Sequence, residues 1–322
     1  MEKIAKKRIT LKSIVSTYGI YIVFVVIVAF LAALTEGNFV SGANIVTVLR
    51  QISINGIIAI GMTFVIITGG IDLSVGAVLA LAGAIGTDFT HTDMNMPLIV
   101  PFLIAIAIGA LCGAVSGVII SYVGAPPFVV TMGMMQIARG ATYLYTGGAP
   151  IKDLSEAFME VGKGDFLQIP IPVYILAIVL VIAVILLHKA RFGRCLYAIG
   201  GNEEAAYASG INVKLNKTTA YVISGVCSAI CGLILAARTG AAAALAGDGY
   251  ELNAIAAVVI GGTSLSGGKG TIVGTLIGAL IIGSISNGLD LMNVSSYVQT
   301  VVKGVIIIAA VCLDARTAAK KH

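Results

Sequence analysis

The longest part of this sequence without a charged side chain extends from Met94 to Ala138, a run of 45 residues. A soluble domain could not cover its surface in this way, because globular proteins carry about 25% charged residues and this chain carries 11%. About 20 apolar residues suffice for a helix to cross a bilayer, so the run is long enough for two crossings. Pro126 and Pro127 supply a break between them. The sequence therefore predicts an all-α polytopic membrane protein.

Similar charge-poor runs predict about ten transmembrane helices in all. The predicted spans are Ser13–Thr35, Asn44–Thr68, a third ending near Gly86, Pro97–Val123, Phe128–Tyr145, Ile171–Leu187, Thr218–Ala237, Leu252–Ile260, Thr271–Gly288 and Tyr297–Leu313. The third and eighth are short, and each lies next to a glycine-rich interruption.

The distribution of basic residues sets the predicted orientation. With ten spans, 14 of the 20 Lys and Arg residues lie on one face, in the two tails, the 188–217 loop and Lys269. Basic loops stay on the cytoplasmic side. We therefore expect one transmembrane domain over residues 1–322, with cytoplasmic N- and C-termini and a cytoplasmic loop at 188–217.

This cytoplasmic loop contains a short segment with the signals of a helix. Asn202 is a suitable N-cap, Glu203 and Glu204 fall in the first turn, and Gly210 can end the helix after Ala205–Ser209. A helix of about two turns is marginal in water by itself. We therefore expect it to dock against a second protein.

Two glycine-rich segments resemble each other. GGIDLSVG at 69–76 and GGTSLSGG at 261–268 share two Gly, Leu, Ser and a last Gly at the same spacing. Both follow a span that runs toward the cytoplasm. A parallel repeat with interrupted helices near a transport pathway is one explanation, and chance similarity in a glycine-rich chain is the other.

No catalytic or metal-ligating constellation is recognisable, so the catalytic and metal residues are predicted to be none. The three histidines are scattered, and the five cysteines include no CxxC pair. The segment around Lys269 fails the GxxxxGK[ST] phosphate-loop spacing, with Thr263 and Gly270 at positions that need Gly and Ser or Thr. The chain is not expected to hydrolyse ATP or to bind nucleic acid.

Charged residues inside spans carry an insertion cost and usually face a cavity or a partner. Those found here are Arg50, Asp72, Arg139 and Lys303. One interpretation places Asp72 in a polar pathway lining together with Asn55, Ser74 and Asn253. The other is internal pairing, for example of Asp72 with a basic side chain. Arg139 is expected to pair or to reach a more polar level.

Four segments together resemble sugar-importer ABC permeases of the ribose/galactose type, within the branched-chain amino-acid and ribose permease family. They are 61–81 (GMTFVIITGGIDLSVGAVLAL), 126–151 (PPFVVTMGMMQIARGATYLYTGGAPI), 191–213 (RFGRCLYAIGGNEEAAYASGINV) and 250–281 (YELNAIAAVVIGGTSLSGGKGTIVGTLIGALI). The nearest likeness is to ribose permeases, chiefly through the last segment and NVSSY at 293–297. The resemblance extends over nearly the full length.

The resemblance implies a non-enzymatic subunit of a monosaccharide importer in the cytoplasmic (inner) membrane of a prokaryote. Its implied partners are a second permease copy, a tandem ATPase that holds ATP and Mg²⁺, and an extracytoplasmic sugar-binding protein. The acidic outer segment 147–168 is either a docking surface for such a protein or a solvated loop. The residues implied to couple to the ATPase are Gly200, Gly201, Asn202, Glu203, Glu204, Ala205, Ala206 and Gly210. The glycines would let the chain turn.

Two other functions remain alternatives for this sequence. An ion-coupled secondary transporter would use Asp72 and would need no ATPase. An integral membrane enzyme would need a cluster of His, Asp or Glu near one face, which the sequence lacks. The identity of the sugar is not readable from these residues.

Overall fold

A computed structural model describes residues 11–92 and 96–319 of this protein as a helical bundle. Helices occupy all ten predicted span positions. They are α1 (Leu11–Leu34), α2 (Gly42–Ile67), α3 (Val75–Asp88), α4 (Ile99–Val118), α5 (Pro127–Thr146), α7 (Ile171–Val184), α10 (Val213–Thr239), α11 (Tyr250–Ile260), α12 (Ile272–Leu291) and α13 (Ser296–Ala319). The all-α polytopic prediction is confirmed. The basic residues at 3–8 and 320–321, and Asp93, lie outside the described residues.

Five of these helices are long and apolar enough to cross a membrane by length and composition. They are α2, α10, α12, and the helices α4 and α7, which continue as π-helical turns Ile119–Val123 and Ile185–Lys189. The helices α3 and α11 have 14 and 11 residues, so each begins within the thickness of the bundle. Two interrupted helices are therefore built into this fold.

Smaller elements connect the long helices. A 3₁₀ turn at Asn38–Val40 precedes α2, and α6 (Glu156–Lys163) covers one end of the bundle. The strands β1 (Asp165–Phe166) and β2 (Ile169–Pro170) form a two-residue antiparallel ladder beside it. The helices α8 (Arg191–Gly201) and α9 (Glu203–Ala208) lie at the opposite end.

The helix α10 is the centre of the bundle. It is the most buried of the five long apolar helices, whereas α7 is the least buried. The helices α2, α3 and α4 pack around it. Residues 52–67 of α2 are buried almost without interruption, so this helix is apolar on every side because protein surrounds it.

A row of glycines brings α4 against α10. Gly109, Gly113 and Gly117 recur every fourth residue and form one edge of α4. A Cβ on Gly113 would overlap the backbone carbonyl of Tyr221, and a Cβ on Gly109 would overlap that of Gly225. In lipid, helices associate through such close packing rather than through the hydrophobic effect.

The two ends of the bundle can be told apart by contacts. Asp314 of α13 accepts hydrogen bonds from the hydroxyl of Ser264 (3.2 Å) and the backbone N–H of Leu265 (3.0 Å), which belong to the end that carries α8 and α9. The C-terminal end of α1 lies at the opposite end, where Leu31 packs on Gly288. Both ends of the described chain are therefore on the α8–α9 side. That this side is cytoplasmic stays a prediction from the charge bias.

Replacing Gly113 with Ala should push α4 away from α10, because the added methyl overlaps a backbone carbonyl that cannot move independently. Overpacking of this kind costs about 1–3 kcal/mol. We expect a lower midpoint of thermal unfolding in detergent. Gly304→Ala in α13 is the matched control, since no heavy atom lies within 4 Å of its added Cβ. Equal midpoints for the two variants would contradict the close contact.

Candidate functional site

The helix α9 forms as its sequence signals predict. The Asn202 side chain caps it by accepting a hydrogen bond from the backbone N–H of Ala205 at 2.8 Å. Glu203 and Glu204 stand in its first turn, where carboxylates suit the helix dipole. Gly210 follows in the left-handed conformation, with φ of 79°. The local prediction for 202–210 is confirmed, while its role in coupling is not tested by these contacts.

Only one side of α9 is attached to the protein. Ala206 is buried in a small cluster with Ile199 and Val213, which fixes α9 to α8 and to the start of α10. Glu203, Glu204 and Ala205 are exposed, and Tyr207 is 74% exposed. A large aromatic side chain that projects from the surface into solvent is typical of contact residues at protein interfaces.

One ion pair holds the base of α9, and a second charged contact holds the start of α10. The Lys217 ammonium lies 2.9 Å from the Glu203 carboxylate. Lys214 stands 5.1 Å from the centre of the Tyr122 ring at the end of the π turn after α4. An exposed pair of this kind adds at most about 1 kcal/mol. The ion pair orients α9 relative to α10, and the Lys214 contact ties the start of α10 to the turn after α4.

The stretch before α9 is a second helix, which sequence reasoning treated as a loop. Gly193, Leu196 and Ile199 are buried along one side of α8, and Phe192 stacks on Phe64 of α2 at 6.1 Å. This three-residue apolar spacing was present in the sequence and could have indicated an amphipathic helix. The helix α8 therefore acts as a platform that carries α9.

The platform is tied to the glycine-rich loop before α12. The Tyr197 hydroxyl donates a hydrogen bond to the backbone carbonyl of Gly270 at 2.7 Å. Burial raises the pKa of this phenol above its ordinary value, so the hydroxyl keeps its proton at neutral pH. The bond is accordingly present throughout the physiological range.

The chain does not turn at the two glycines implied by the resemblance. Gly200 and Gly201 are the last residues of α8, and the turn begins at Asn202. The reason for glycine at 200 is close approach, because a Cβ there would overlap the Ile67 carbonyl and the Gly268 backbone nitrogen. Gly201 faces open space.

The two similar glycine-rich segments meet beneath this platform. The backbone N–H of Gly268 donates to the carbonyl of Ile67 at 2.9 Å, which joins the loop before α12 to the end of α2. Both segments lie at the same end of the bundle, in agreement with a parallel arrangement. The helix α8 thus contacts the end of α2 and the loop before α12 at one point, Gly200.

The structure buries Asp72 and Ser74 inside the protomer. Asp72 is 2% exposed, and its carboxylate accepts hydrogen bonds from the Ser74 hydroxyl (2.6 Å), the Ser74 backbone N–H (3.0 Å) and the Ser224 hydroxyl (2.8 Å). Internal pairing is therefore what the structure shows. The partners are hydroxyl groups of α10 and of its own turn, rather than a basic side chain.

The other two predicted pathway residues are less enclosed. Asn55 is half-buried on α2, and its side-chain oxygen is buried without a hydrogen-bond partner. Asn253 is half-buried in the first turn of α11. Hence the Asn55 oxygen is buried without a hydrogen bond, whereas the Asp72 carboxylate is both buried and fully hydrogen-bonded.

Two of the other charges predicted within spans, Arg50 and Arg139, have partners in the protomer. Arg50 forms an ion pair with Asp165 at 2.7 Å, at the end of the bundle opposite α9. Arg139 donates to the carbonyls of Ala244 and Ala246, the latter at 3.0 Å. Within residues 11–92 and 96–319, no three His, Cys, Asp or Glu side chains gather as metal ligands.

Comparisons with known proteins agree on one family. The family described as "Branched-chain amino acid transport system / permease component" matches residues 44–311. The chain is 46% identical to the ribose import permease protein of Bacillus subtilis, over 98% of this chain and 97% of the relative. It is 40% identical to the galactose/methyl galactoside import permease protein of Salmonella typhimurium, over 94% and 95%. It is 39% identical to the D-allose transport system permease protein of Escherichia coli K12, over 92% and 91%.

No solved structure matches the chain. A helical membrane bundle with two interrupted helices and a polar platform at one end is the architecture of a transport subunit. The chain belongs to the family of branched-chain amino acid transport system permease components. The resemblance to importer permeases that the four segments carried is thereby confirmed.

We expect Gly200→Ala to loosen the α8 platform, because the added methyl overlaps the end of α2 and the loop before α12. Gly201→Ala, one residue later with no atom within 4 Å, is the control. Limited proteolysis of the 188–217 region should cut Gly200→Ala faster than Gly201→Ala, and unfolding should begin at a lower temperature. If both variants resist protease like the parent chain, α8 is not anchored through Gly200.

Proposed function

We propose that this chain is the permease subunit of an ABC importer that carries ribose or a closely similar monosaccharide across the cytoplasmic membrane of a prokaryote. The observation that carries the proposal is the 46% identity to a ribose import permease over nearly the whole of both chains. The sequence identity to the relatives named for galactose and D-allose is lower, 40% and 39%. The multi-pass helical fold fits this location.

A separate ATPase is proposed to drive transport from the α9 side. The coupling residues are Gly200, Gly201, Asn202, Glu203, Glu204, Ala205, Ala206 and Gly210, and the exposed Tyr207 joins them here. The exposed carboxylates and the aromatic ring suit a groove on a partner with basic and apolar lining. ATP and Mg²⁺ would be held by that partner, a tandem ATPase, and not by this chain.

The platform suggests how the ATP cycle reaches the membrane. A push on α9 is transmitted through Ala206 to α8, which is anchored at Gly200 to the end of α2. From there the Gly268–Ile67 hydrogen bond reaches the segment before α12. Movement of α8 would shift α2 with α3, and α11 with α12, relative to the central α10.

The opposite end is proposed to receive a sugar-binding protein. Glu156 and Glu160 are exposed on α6, whose Phe158 is fully buried and holds the helix against the bundle. An acidic, rigid outer surface suits a basic rim on a soluble partner. A second copy of the chain is proposed to complete the pore as a homodimer.

The four residues assigned to the translocation pathway fall into two pairs with different proposed roles. Asn55 and Asn253 are half-buried, and we propose that each becomes open to a passing sugar during the transport cycle. Asp72 and Ser74 would reach the pathway only after α3 moved away from α10, because both are buried between them. Their proposed role is to hold the interrupted α2–α3 connection in place.

Reconstitution into proteoliposomes tests the importer function. We expect ribose uptake only when this permease, its ATPase, the sugar-binding protein and ATP are all present, since the motor lies on a partner. Unlabelled ribose should compete with labelled ribose better than galactose or allose does. Tyr207→Ala should lower ATP-driven uptake at least about tenfold, equivalent to about 1.4 kcal/mol, without lowering the unfolding temperature.

The matched control for Tyr207→Ala is Tyr297→Ala, which removes another highly exposed tyrosine, 87% exposed, at the opposite end of the bundle. Ribose uptake by the permease alone would refute the ABC importer. Uptake by Tyr207→Ala equal to the parent rate would remove α9 from the proposed ATPase contact.

The ion-coupled alternative makes a different prediction for Asp72. In the importer, Asp72→Asn should lower the unfolding temperature, because hydrogen bonds to a charged acceptor contribute about 1.5–3 kcal/mol. The remaining uptake should still require ATP and should not respond to a protonophore or to removal of sodium. Collapse of parent uptake by a protonophore at constant ATP would favour the ion-coupled transporter instead.

A further inference from the structure

One side of α5 carries polar side chains that the protomer leaves wholly or partly uncovered. Gln136 is exposed, Arg139 is half-buried and Tyr143 is 41% exposed, and their i, i+3, i+7 spacing puts them on one side of the helix. Gln136 is the tenth of the 20 residues of α5. At 1.5 Å per residue it lies about 14 Å from either end, near the middle of the membrane.

Beside this strip the chain is not helical. After α10, the segment 240–249 runs as successive turns before α11 begins at Tyr250. Its start pairs with the outer loop, since Ala242 and Ile151 exchange backbone hydrogen bonds at 2.9 Å. Arg139 holds its middle through the carbonyls of Ala244 and Ala246.

The segment reaches deep into the bundle. Gly247 packs on Gly76, where a Cβ would overlap the Gly247 carbonyl. Gly76 is 12 residues from Asp88 at the outer end of α3, which corresponds to about 18 Å. Asp248 follows directly and is exposed, and the Glu251 carboxylate lies beside Gly76.

This surface cannot face lipid. Non-helical backbone at membrane depth occurs only where it is buried in protein or lines a water-filled cavity. An exposed carboxylate and an exposed amide at the same depth require the same surroundings. The strip on α5 and the turns at 243–249 therefore face either water or a tightly packed protein surface.

We propose that the side of α5 bearing Gln136, together with Asp248, lines the aqueous translocation pathway and contacts the hydroxyl groups of the passing sugar. The inference rests on the proposed function for the identity of that sugar. A carboxylate accepts two or more hydrogen bonds from hydroxyls, and an amide both accepts and donates. Contacts made by two side chains open to water suit a weak, transient site that a substrate must leave again.

Cysteine accessibility tests whether the surface is wet. Gln136→Cys and Asp248→Cys are made in full transporters in which Cys112, Cys195 and Cys312 are replaced by Ser. Ile182→Cys, on the outward face of α7 and 52% exposed, is the lipid-facing control. A charged, membrane-impermeant thiosulfonate should label both test positions about tenfold faster than the control, because only a hydrated thiol ionises and reacts.

Labelling of either test position at the rate of Ile182→Cys, with and without ATP, would overturn the proposal, and would indicate a protein–protein contact there. This arm does not depend on which substrate is carried. It therefore remains informative if ribose uptake fails.

Sugar contact is tested separately in transporters that import ribose. Ribose should slow labelling of Asp248→Cys, and Asp248→Asn should reduce ATP-driven uptake about tenfold, equivalent to about 1.4 kcal/mol. The control Glu36→Gln removes an exposed carboxylate that lies outside the 147–168 segment and should leave uptake unchanged. Fast labelling that ribose does not slow, with normal uptake by Asp248→Asn, would overturn the sugar contact.

Discussion

Hydrocarbon offers no hydrogen-bond partner to a peptide group, and this constraint explains the arrangement of the two interrupted helices. Every exposed backbone group at membrane depth costs several kcal/mol unless protein or water satisfies it. After α2, the freed groups are satisfied internally, by the N–H of Gly70 to the carbonyl of Val65 and by the Thr131 hydroxyl to the carbonyl of Ile71. The interruption is thus possible only because α5 and α10 enclose it.

The backbone of the non-helical connection between α10 and α11 is satisfied differently, by a charged side chain. Between α10 and α11, a charged side chain, Arg139, supplies two donors to carbonyls that no helix would otherwise satisfy. At the connection between α2 and α3, Asp72 instead accepts from the Ser74 backbone N–H and is enclosed by Ser224. One charge is therefore enclosed and the other stands at the edge of an open surface, although the sequence gives both the same appearance.

The sequence predicted those parts of the fold that depend on local pattern. Charge-free runs placed all ten spans, and the cap at Asn202 placed α9, because both signals lie within a few consecutive residues. It did not predict the partner of Asp72 or the reason for Gly200. Ser224 is 152 positions from Asp72, and Gly200 is constrained by Ile67 and Gly268, so neither contact can be read locally.

The helix α8 shows why the polar segment 188–217 is more than a loop between two spans. A two-turn helix such as α9 cannot transmit force unless its base is rigid, and Ala206 alone would not fix it. The amphipathic α8 provides that base, through the Phe192–Phe64 stack and the Tyr197–Gly270 hydrogen bond. Because the same helix contacts the end of α2 and the loop before α12, a partner that moved α9 would act on the ends of both interrupted helices.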